Sequence, residues 1–150
     1  MSEASVMTDE LRKQIGVEGE PLVVEMEKGM LRKFVDAIGD PNPLWSDEEY
    51  AKKTKYGGLT FPPGILAAIM MVGNRPPIEI PLPRGLDGGG EWEFFEPIRP
   101  GDTLTIECKI GDLVERQISM GKAIFIYHDT VWKNQKGQVV ATSRTYGLKY

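Results

Sequence analysis

The residues best suited to chemistry lie in one short stretch, from Gly39 to Trp45. Asp40 offers a carboxylate, which can act as a base, and Asn42 offers an amide that donates and accepts hydrogen bonds. The prolines at positions 41 and 43 stiffen the backbone, so these polar groups can be aimed with little loss of entropy. The competing interpretation, which local chemistry alone favours, is a helix connector in which both side chains satisfy backbone donors.

Two other reactive side chains fall in strand-like segments. His128 lies mid-strand among apolar neighbours, which favours a packed, hydrogen-bonded histidine over a catalytic one. Cys108 alternates with Ile106 and Ile110, so we expect a small core residue rather than a nucleophile. A single cysteine and a single histidine exclude an intrachain disulfide, a cysteine-rich metal site and a multi-histidine metal centre. We therefore expect no metal and no cofactor.

Two predicted helices must hold the Gly39 to Trp45 loop. Apolar residues at helical spacing predict the first helix, from Lys28 to Ile38, and Gly39 can adopt the left-handed conformation that ends it. Ser46 begins a pattern of an N-cap followed by acidic residues, which predicts a short helix from Asp47 to Lys53. A first strand is predicted before both helices, over residues 21–26.

The stretch from Gly64 to Gly73 is almost wholly apolar. A helix that is apolar all round is expected to be buried all round, and a curved sheet is the natural cover for it. The segment is too short to cross a bilayer. The following stretch, Asn74 to Gly90, is rich in proline and glycine, so it is predicted to be a long loop.

The rest of the chain has the alternating pattern of β-strands. Strands are predicted over Glu91 to Phe95, Thr103 to Glu115, Lys122 to Asn134 and Gln138 to Lys149, with a turn at Pro97 to Asp102 and a hairpin at Lys136-Gly137. Helices that precede a run of antiparallel strands indicate an α+β protein. Residues 1–150 fit one domain with a real core.

The composition excludes several functional classes. The net charge is −4, so there is no basic surface to bind nucleic acid. No apolar run is long enough to span a membrane. The first ten residues lack the basic and apolar segments of a secretory signal. The cytoplasm is therefore the expected compartment.

The segment from Ala37 to Leu44 resembles the signature of the MaoC-type (R)-specific enoyl-CoA hydratases and 3-hydroxyacyl dehydratases, which runs Gly-Asp-x-Asn-Pro-hydrophobic-His. Residues 56–66 and the segment from Phe95 to Asp102 resemble the same family, in the same order. The resemblance covers about Pro21 to Tyr150 and is strongest to the N-terminal-type branch of MaoC-like dehydratases. It implies a hot-dog fold, in which an antiparallel sheet wraps around a long buried helix.

The resemblance also implies a catalytic pair. In the family, the Asp of the signature and the His five residues later act on a water molecule and on the α-carbon of the substrate. Asp40 and Asn42 match the signature and become candidate catalytic residues, but Trp45 stands at the histidine position. An indole N–H donates a hydrogen bond and cannot exchange a proton at neutral pH. The implied pair is therefore incomplete.

The substrate-binding residues implied by the resemblance form one run: Gly57, Gly58, Leu59, Thr60 and Phe61. The two glycines resemble backbone donors for a thioester carbonyl, which would stabilise an enolate; the alternative is a flexible turn. An acyl channel could be lined by Trp45, Phe61, Met70 and Met71, although core packing explains the methionines better. The nearby lysines at positions 52, 53 and 55 form either a solvated helix end or a contact for the phosphates of an acyl carrier.

The resemblance thus implies a protein that binds an acyl thioester, on CoA or on an acyl carrier protein, and handles (R)-3-hydroxyacyl or trans-2-enoyl substrates. The missing histidine favours the acyl-binding or structural subunit of a dimeric hydratase, beside a second MaoC chain with the complete pair. Two alternatives stay open: a self-sufficient hydratase that uses Asp40, and an acyl-thioester-binding module without turnover. We expect a homo- or heterodimer, because a single sheet leaves an edge strand and an apolar face.

Overall fold

The structure is a computed structural model that describes residues 5–70 and 75–150. Five antiparallel strands form one sheet in the order β1-β3-β4-β5-β2. The strands are β1 (Leu22–Glu25), β2 (Gly85–Phe94), β3 (Thr103–Ile118), β4 (Gly121–Lys133) and β5 (Val139–Lys149). The helices are α1 (Asp9–Arg12), α2 (Lys28–Ile38), α3 (Glu48–Lys52) and α4 (Ile65–Met70), with a 3-10 turn at Pro43–Trp45. The α+β class predicted from the sequence is confirmed.

Two helices flank the Gly39 to Trp45 loop, as predicted, but the N-cap of the second helix is Asp47 and not Ser46. Helix α2 spans the predicted residues and ends at Gly39, whose φ is 64° and whose N–H donates to the carbonyl of Val35. Helix α3 begins after Asp47, whose side chain accepts a hydrogen bond from the N–H of Tyr50. Both ends of the loop are therefore fixed by local hydrogen bonds.

Helix α4 buries only one face in the described chain. Ile65, Leu66, Ile69 and Met70 are buried, and they belong to a core cluster with residues of β3, β4 and β5. Ala67 and Ala68 are exposed, so the prediction of burial all round is wrong over these residues. A single sheet covers one side of a helix, and a small alanine side chain exposes little apolar area. The remaining residues of the prediction, from Met71 to Gly73, lie outside the described ranges.

The predicted loop from Asn74 to Gly90 is wrong from Gly85 onwards, because β2 begins there. The glycine-rich start of β2 pairs with β5 through a bulge between Asp87 and Gly89. A Cβ atom at Gly90 would lie 2.8 Å from the backbone oxygen of Arg144 and 2.9 Å from Thr145 Cα, so glycine is required for this pairing. Close approach between neighbouring strands thus explains a composition that is typical of loops.

The alternation predicted for β3 and β4 is confirmed. Residues at every second position of β3, from Leu104 to Ile110, are buried, and on β4 the inward-facing positions are also buried. The buried face is not wholly apolar, because it includes His128, Thr130, Ser143 and Thr145. Within the described ranges, no helix has the length and apolar character that a membrane span requires.

Candidate functional site

The loop between α2 and α3 holds Asp40 in a fixed geometry. The indole Nε1–H of Trp45 donates a hydrogen bond to Asp40 Oδ2 at 2.9 Å. The backbone N–H of Asn42 donates to Asp40 Oδ1 at 3.0 Å. Asn42 in turn accepts the N–H of Leu44 at 3.0 Å and begins the 3-10 turn. The structure therefore brings the three predicted residues Asp40, Asn42 and Trp45 together.

This arrangement positions a carboxylate without giving it a proton-transfer partner. Both Asp40 oxygens accept hydrogen bonds from N–H groups that do not titrate near neutral pH. A histidine in the place of Trp45 could accept and return a proton, whereas the indole can only orient the carboxylate. The pair can thus bind and orient a polar group, while proton exchange has to involve Asp40 itself or a group from elsewhere.

Trp45 lines a cavity of about 340 Å³ near this loop. The lining is rich in aromatic and apolar residues: Leu44, Trp45, Tyr56, Phe61, Pro63, Phe94, Phe95, Pro97 and Ile98, together with Lys55, Thr60 and Glu96. Lys55 also lies over the ring of Tyr56, with Nζ 5.2 Å from the ring centroid. A mostly apolar cleft with a few polar groups is the usual form of a small-molecule site. We name it the Trp45 cavity.

The predicted substrate-binding run is divided between two cavities. Thr60 and Phe61 line the Trp45 cavity, whereas Gly57, Gly58 and Leu59 line a neighbouring cavity of about 350 Å³ that also contains Arg99. The N–H of Gly57 donates to Thr54 and that of Phe61 donates to Ile98, so neither is available to a ligand. The assignment of Gly58 as a carbonyl donor stays a prediction.

His128 is buried as predicted, but its predicted hydrogen bond is not found. Only 6% of the residue is exposed, and within the described ranges neither ring nitrogen has a hydrogen-bond partner. Burial, aided by the charge of Arg75, lowers the pKa of His128 from 6.5 to about 4. The imidazole is therefore neutral at pH 7.

Cys108 has the environment of a core residue. It is buried, and burial raises the pKa of its thiol. A neutral, buried thiol is a poor nucleophile, in agreement with the strand pattern around it.

The sequence places His128 and Thr130 in the apolar phase of one strand, but it does not identify the polar residues of β5 that share their buried face. His128 and Thr145 each have at least one buried nitrogen or oxygen atom without a partner in the described chain. The available signal was their place in the apolar phase of two alternating strands. Because β4 and β5 pair in a register that aligns His128 with Thr145, the grouping depends on strand pairing.

Comparison with known proteins places this geometry in a family. The family described as "FAS1-like, dehydratase domain region" matches residues 13–143. A probable enoyl-CoA hydratase alpha subunit from Thermomonospora curvata is 28% identical over 140 residues, covering 81% of this chain; the chain spans only 44% of that relative.

Two solved structures have the same fold. A MaoC-like dehydratase from Rhodospirillum rubrum superposes with a TM-score of 0.73 at 24% identity, covering 91% of this chain and 92% of the other. The ChsH1–ChsH2 complex from Mycobacterium tuberculosis superposes with a TM-score of 0.71 at 22% identity, covering 89% of this chain and 84% of the matched one. The expected hot-dog architecture is confirmed. The chain therefore belongs to the family described as "FAS1-like, dehydratase domain region".

Proposed function

We propose that this chain is the acyl-thioester-binding subunit of a hydratase or dehydratase that interconverts (R)-3-hydroxyacyl and trans-2-enoyl thioesters. The observation that carries the proposal is the hydrogen bond from Trp45 Nε1–H to Asp40, at the position where the family has its histidine. The loop keeps the Asp and the Asn of the family signature, Asp40 and Asn42, while it lacks the group that moves the proton. A partner MaoC-like chain supplies the complete Asp/His pair.

The size of the catalytic loss supports this division of roles. A general acid–base group contributes roughly a hundred- to ten-thousandfold to a rate, so a chain without its histidine would be a poor enzyme alone. The Thermomonospora relative is named an alpha subunit, and the Mycobacterium structure is a complex of two chains. Both names support a subunit that works beside a second chain.

Strand β2 is the proposed site of pairing. It lies at the end of the sheet, with β5 as its partner in the described chain, and an unpaired strand edge favours pairing with another chain. Leu86 and Phe95 near this edge are 51% and 55% exposed. A second MaoC-like chain that adds its own sheet to this edge would cover them.

The substrate would bind with its thioester in the Trp45 cavity and its carrier outside. Lys55 lines this cavity, and Lys52 and Arg99 line the neighbouring one. These cations suit the phosphates of CoA or of a carrier protein, a contact that would weaken with increasing salt.

The test is co-expression with a MaoC-like chain that carries the Asp/His pair, followed by a crotonyl-CoA hydration assay. We expect the chain alone to be inactive or weakly active, and the co-purified pair to be active. Trp45→His in the isolated chain restores the residue types of the pair, and a gain of activity that Asp40→Asn abolishes would place both residues in one site. Robust hydration by the unmodified chain, unaffected by Asp40→Asn, would overturn the proposal.

A further inference from the structure

Trp45 links Asp40 to the Trp45 cavity. Its indole Nε1–H donates a hydrogen bond to Asp40 Oδ2 at 2.9 Å, and Trp45 also lines the cavity. Among the described residues, the lining of this cavity includes neither Asp40 nor Asn42. A molecule that occupies the cavity therefore contacts Trp45, whereas the carboxylate of Asp40 lies outside its walls.

The carboxylate of Asp40 is held by the protein at both of its oxygen atoms. Oδ2 accepts the indole N–H of Trp45, and Oδ1 accepts the backbone N–H of Asn42 at 3.0 Å. A hydrogen bond to an ionised acceptor is stronger than one between two neutral groups. Both donors belong to the same short loop, so one bond fixes the carboxylate against the backbone and the other fixes the indole against the carboxylate.

The loop is anchored at both ends, so this restraint reaches the cavity wall. Gly39 ends helix α2, and Asp47 caps helix α3. The 3-10 turn that contains Trp45 begins at Asn42, whose side chain accepts the N–H of the buried Leu44. Trp45 packs against the core but is only partly buried. A hydrogen bond at the polar end of such an indole adds an orientation that packing on one side does not define.

We propose that Asp40 is a positioning residue, which holds the indole of Trp45 in one orientation as a wall of the acyl-binding cavity. Asp40 acts on a bound acyl group through this ring and not by direct contact. An indole that is fixed in advance loses little rotamer freedom when an acyl group packs against it, so the hydrogen bond contributes to affinity. The inference rests on the proposed function, and it gives Asp40 a role other than the proton transfer that the family resemblance implies.

The first experiment observes the indole N–H groups of the free full chain by proton–nitrogen correlation NMR. The chain has three tryptophans, and Trp45→Phe identifies the resonance of Trp45 by its loss. We expect Asp40→Ala to move this resonance, because the change removes the acceptor of the hydrogen bond. The indoles of Trp92 on β2 and Trp132 on β4 serve as internal references and should keep their resonances. A Trp45 resonance that does not move would overturn the inference.

The second experiment measures acyl-CoA affinity by calorimetry in a double-mutant cycle of Asp40→Ala and Trp45→Phe. The ligand is the tightest binder among butyryl-CoA, octanoyl-CoA and dodecanoyl-CoA, which are saturated and cannot be hydrated. We expect Asp40→Ala alone to weaken binding roughly two- to tenfold, the range for ordering one side chain on binding. In the Trp45→Phe background, Asp40→Ala should leave the affinity unchanged, because the ring can no longer bond to the carboxylate. A carboxylate in direct contact with the ligand would give the same loss in both backgrounds.

Trp45→Phe also tests the hydrogen bond by itself, since it keeps the bond between Asp40 and Asn42 in place. It should weaken binding by at least the same factor, even if Asp40→Ala fails to fold. A Trp45→Phe variant with the affinity of the native chain would overturn the inference.

The matched control is Asp47→Ala, which removes another capping carboxylate beside the same loop. The side chain of Asp47 accepts the N–H of Tyr50 and does not line the Trp45 cavity, so this variant should keep the Trp45 resonance and the native affinity. Equal losses from Asp40→Ala in both backgrounds, or no loss in the native background, would overturn the inference and leave the proposed function standing. Failure of all three thioesters to bind the native chain would overturn the inference and the proposed function together.

Discussion

The buried imidazole of His128 predicts a specific loss of stability in mild acid. The residue is 6% exposed and its pKa falls from the ordinary 6.5 to about 4, chiefly because burial disfavours the charged form. Between these two values the unfolded chain binds a proton at this residue and the folded chain does not. Protonation therefore stabilises the unfolded state as pH falls. The contribution of the neutral imidazole to the free energy of unfolding is therefore fully present above pH 6.5 and is lost as the pH falls towards 4.

The two pKa values set the size of the effect. The pKa of His128 is 6.5 in the unfolded chain and about 4 in the folded chain. The free energy of unfolding therefore falls by about 2 kcal/mol between about pH 7.5 and pH 5. For a chain of this length, that loss lowers Tm by roughly 4–8 °C. His128→Leu removes the titrating group, so this part of the pH dependence should disappear. At neutral pH the variant should be at least as stable, since it also removes two unpaired buried nitrogens.

Urea denaturation of the native chain and of His128→Leu at both pH values measures this difference directly. Exposed carboxylates titrate in both proteins, so their contribution cancels in the comparison. Thr130→Val is the matched control, because Thr130 is a buried residue on the same strand and face but does not titrate. It should keep the full pH dependence of the native chain. Identical pH dependence in the native chain and His128→Leu would refute the reasoning, since it would mean that His128 titrates normally in the folded state.

Two further predictions concern glycines. Gly58→Val should weaken acyl-CoA binding in calorimetry, because the larger side chain would block the close backbone approach that glycine allows. The change in Tm should be small, because a Cβ atom there would make only an ordinary contact, 3.7 Å from Arg99 Nη1. Unchanged affinity would remove Gly58 from the site. Gly88→Ala should cost about 1–3 kcal/mol in the free energy of unfolding, because the new methyl group displaces the ring of Tyr146. Gly29→Ala in helix α2 is its control and should be stabilising by about 0.5–1 kcal/mol, since nothing lies near the added methyl group; equal effects of both changes would contradict the bulge geometry.

The local elements of the fold could be predicted from the sequence. Helix α2 has the predicted bounds and ends at Gly39, because helix period and a left-handed glycine act within a few residues of the chain. The inward phase of β3 and β4 follows from a period of two in the same way. The absence of a proton-transferring group at position 45 could also be predicted, since an indole cannot exchange a proton at neutral pH in any fold.

Only the tertiary structure decided which distant residues share a cavity. The glycine-rich start of β2 has the composition of a loop, and only the close approach of the β5 backbone explains the glycine at position 90. The predicted binding run is divided between two cavities, because Thr60 and Phe61 face the Trp45 cavity and Gly58 faces Arg99. Thr145 is opposite His128 only through the register of β4 and β5. Such contacts arise from strand pairing across the chain, and no local period or propensity specifies them.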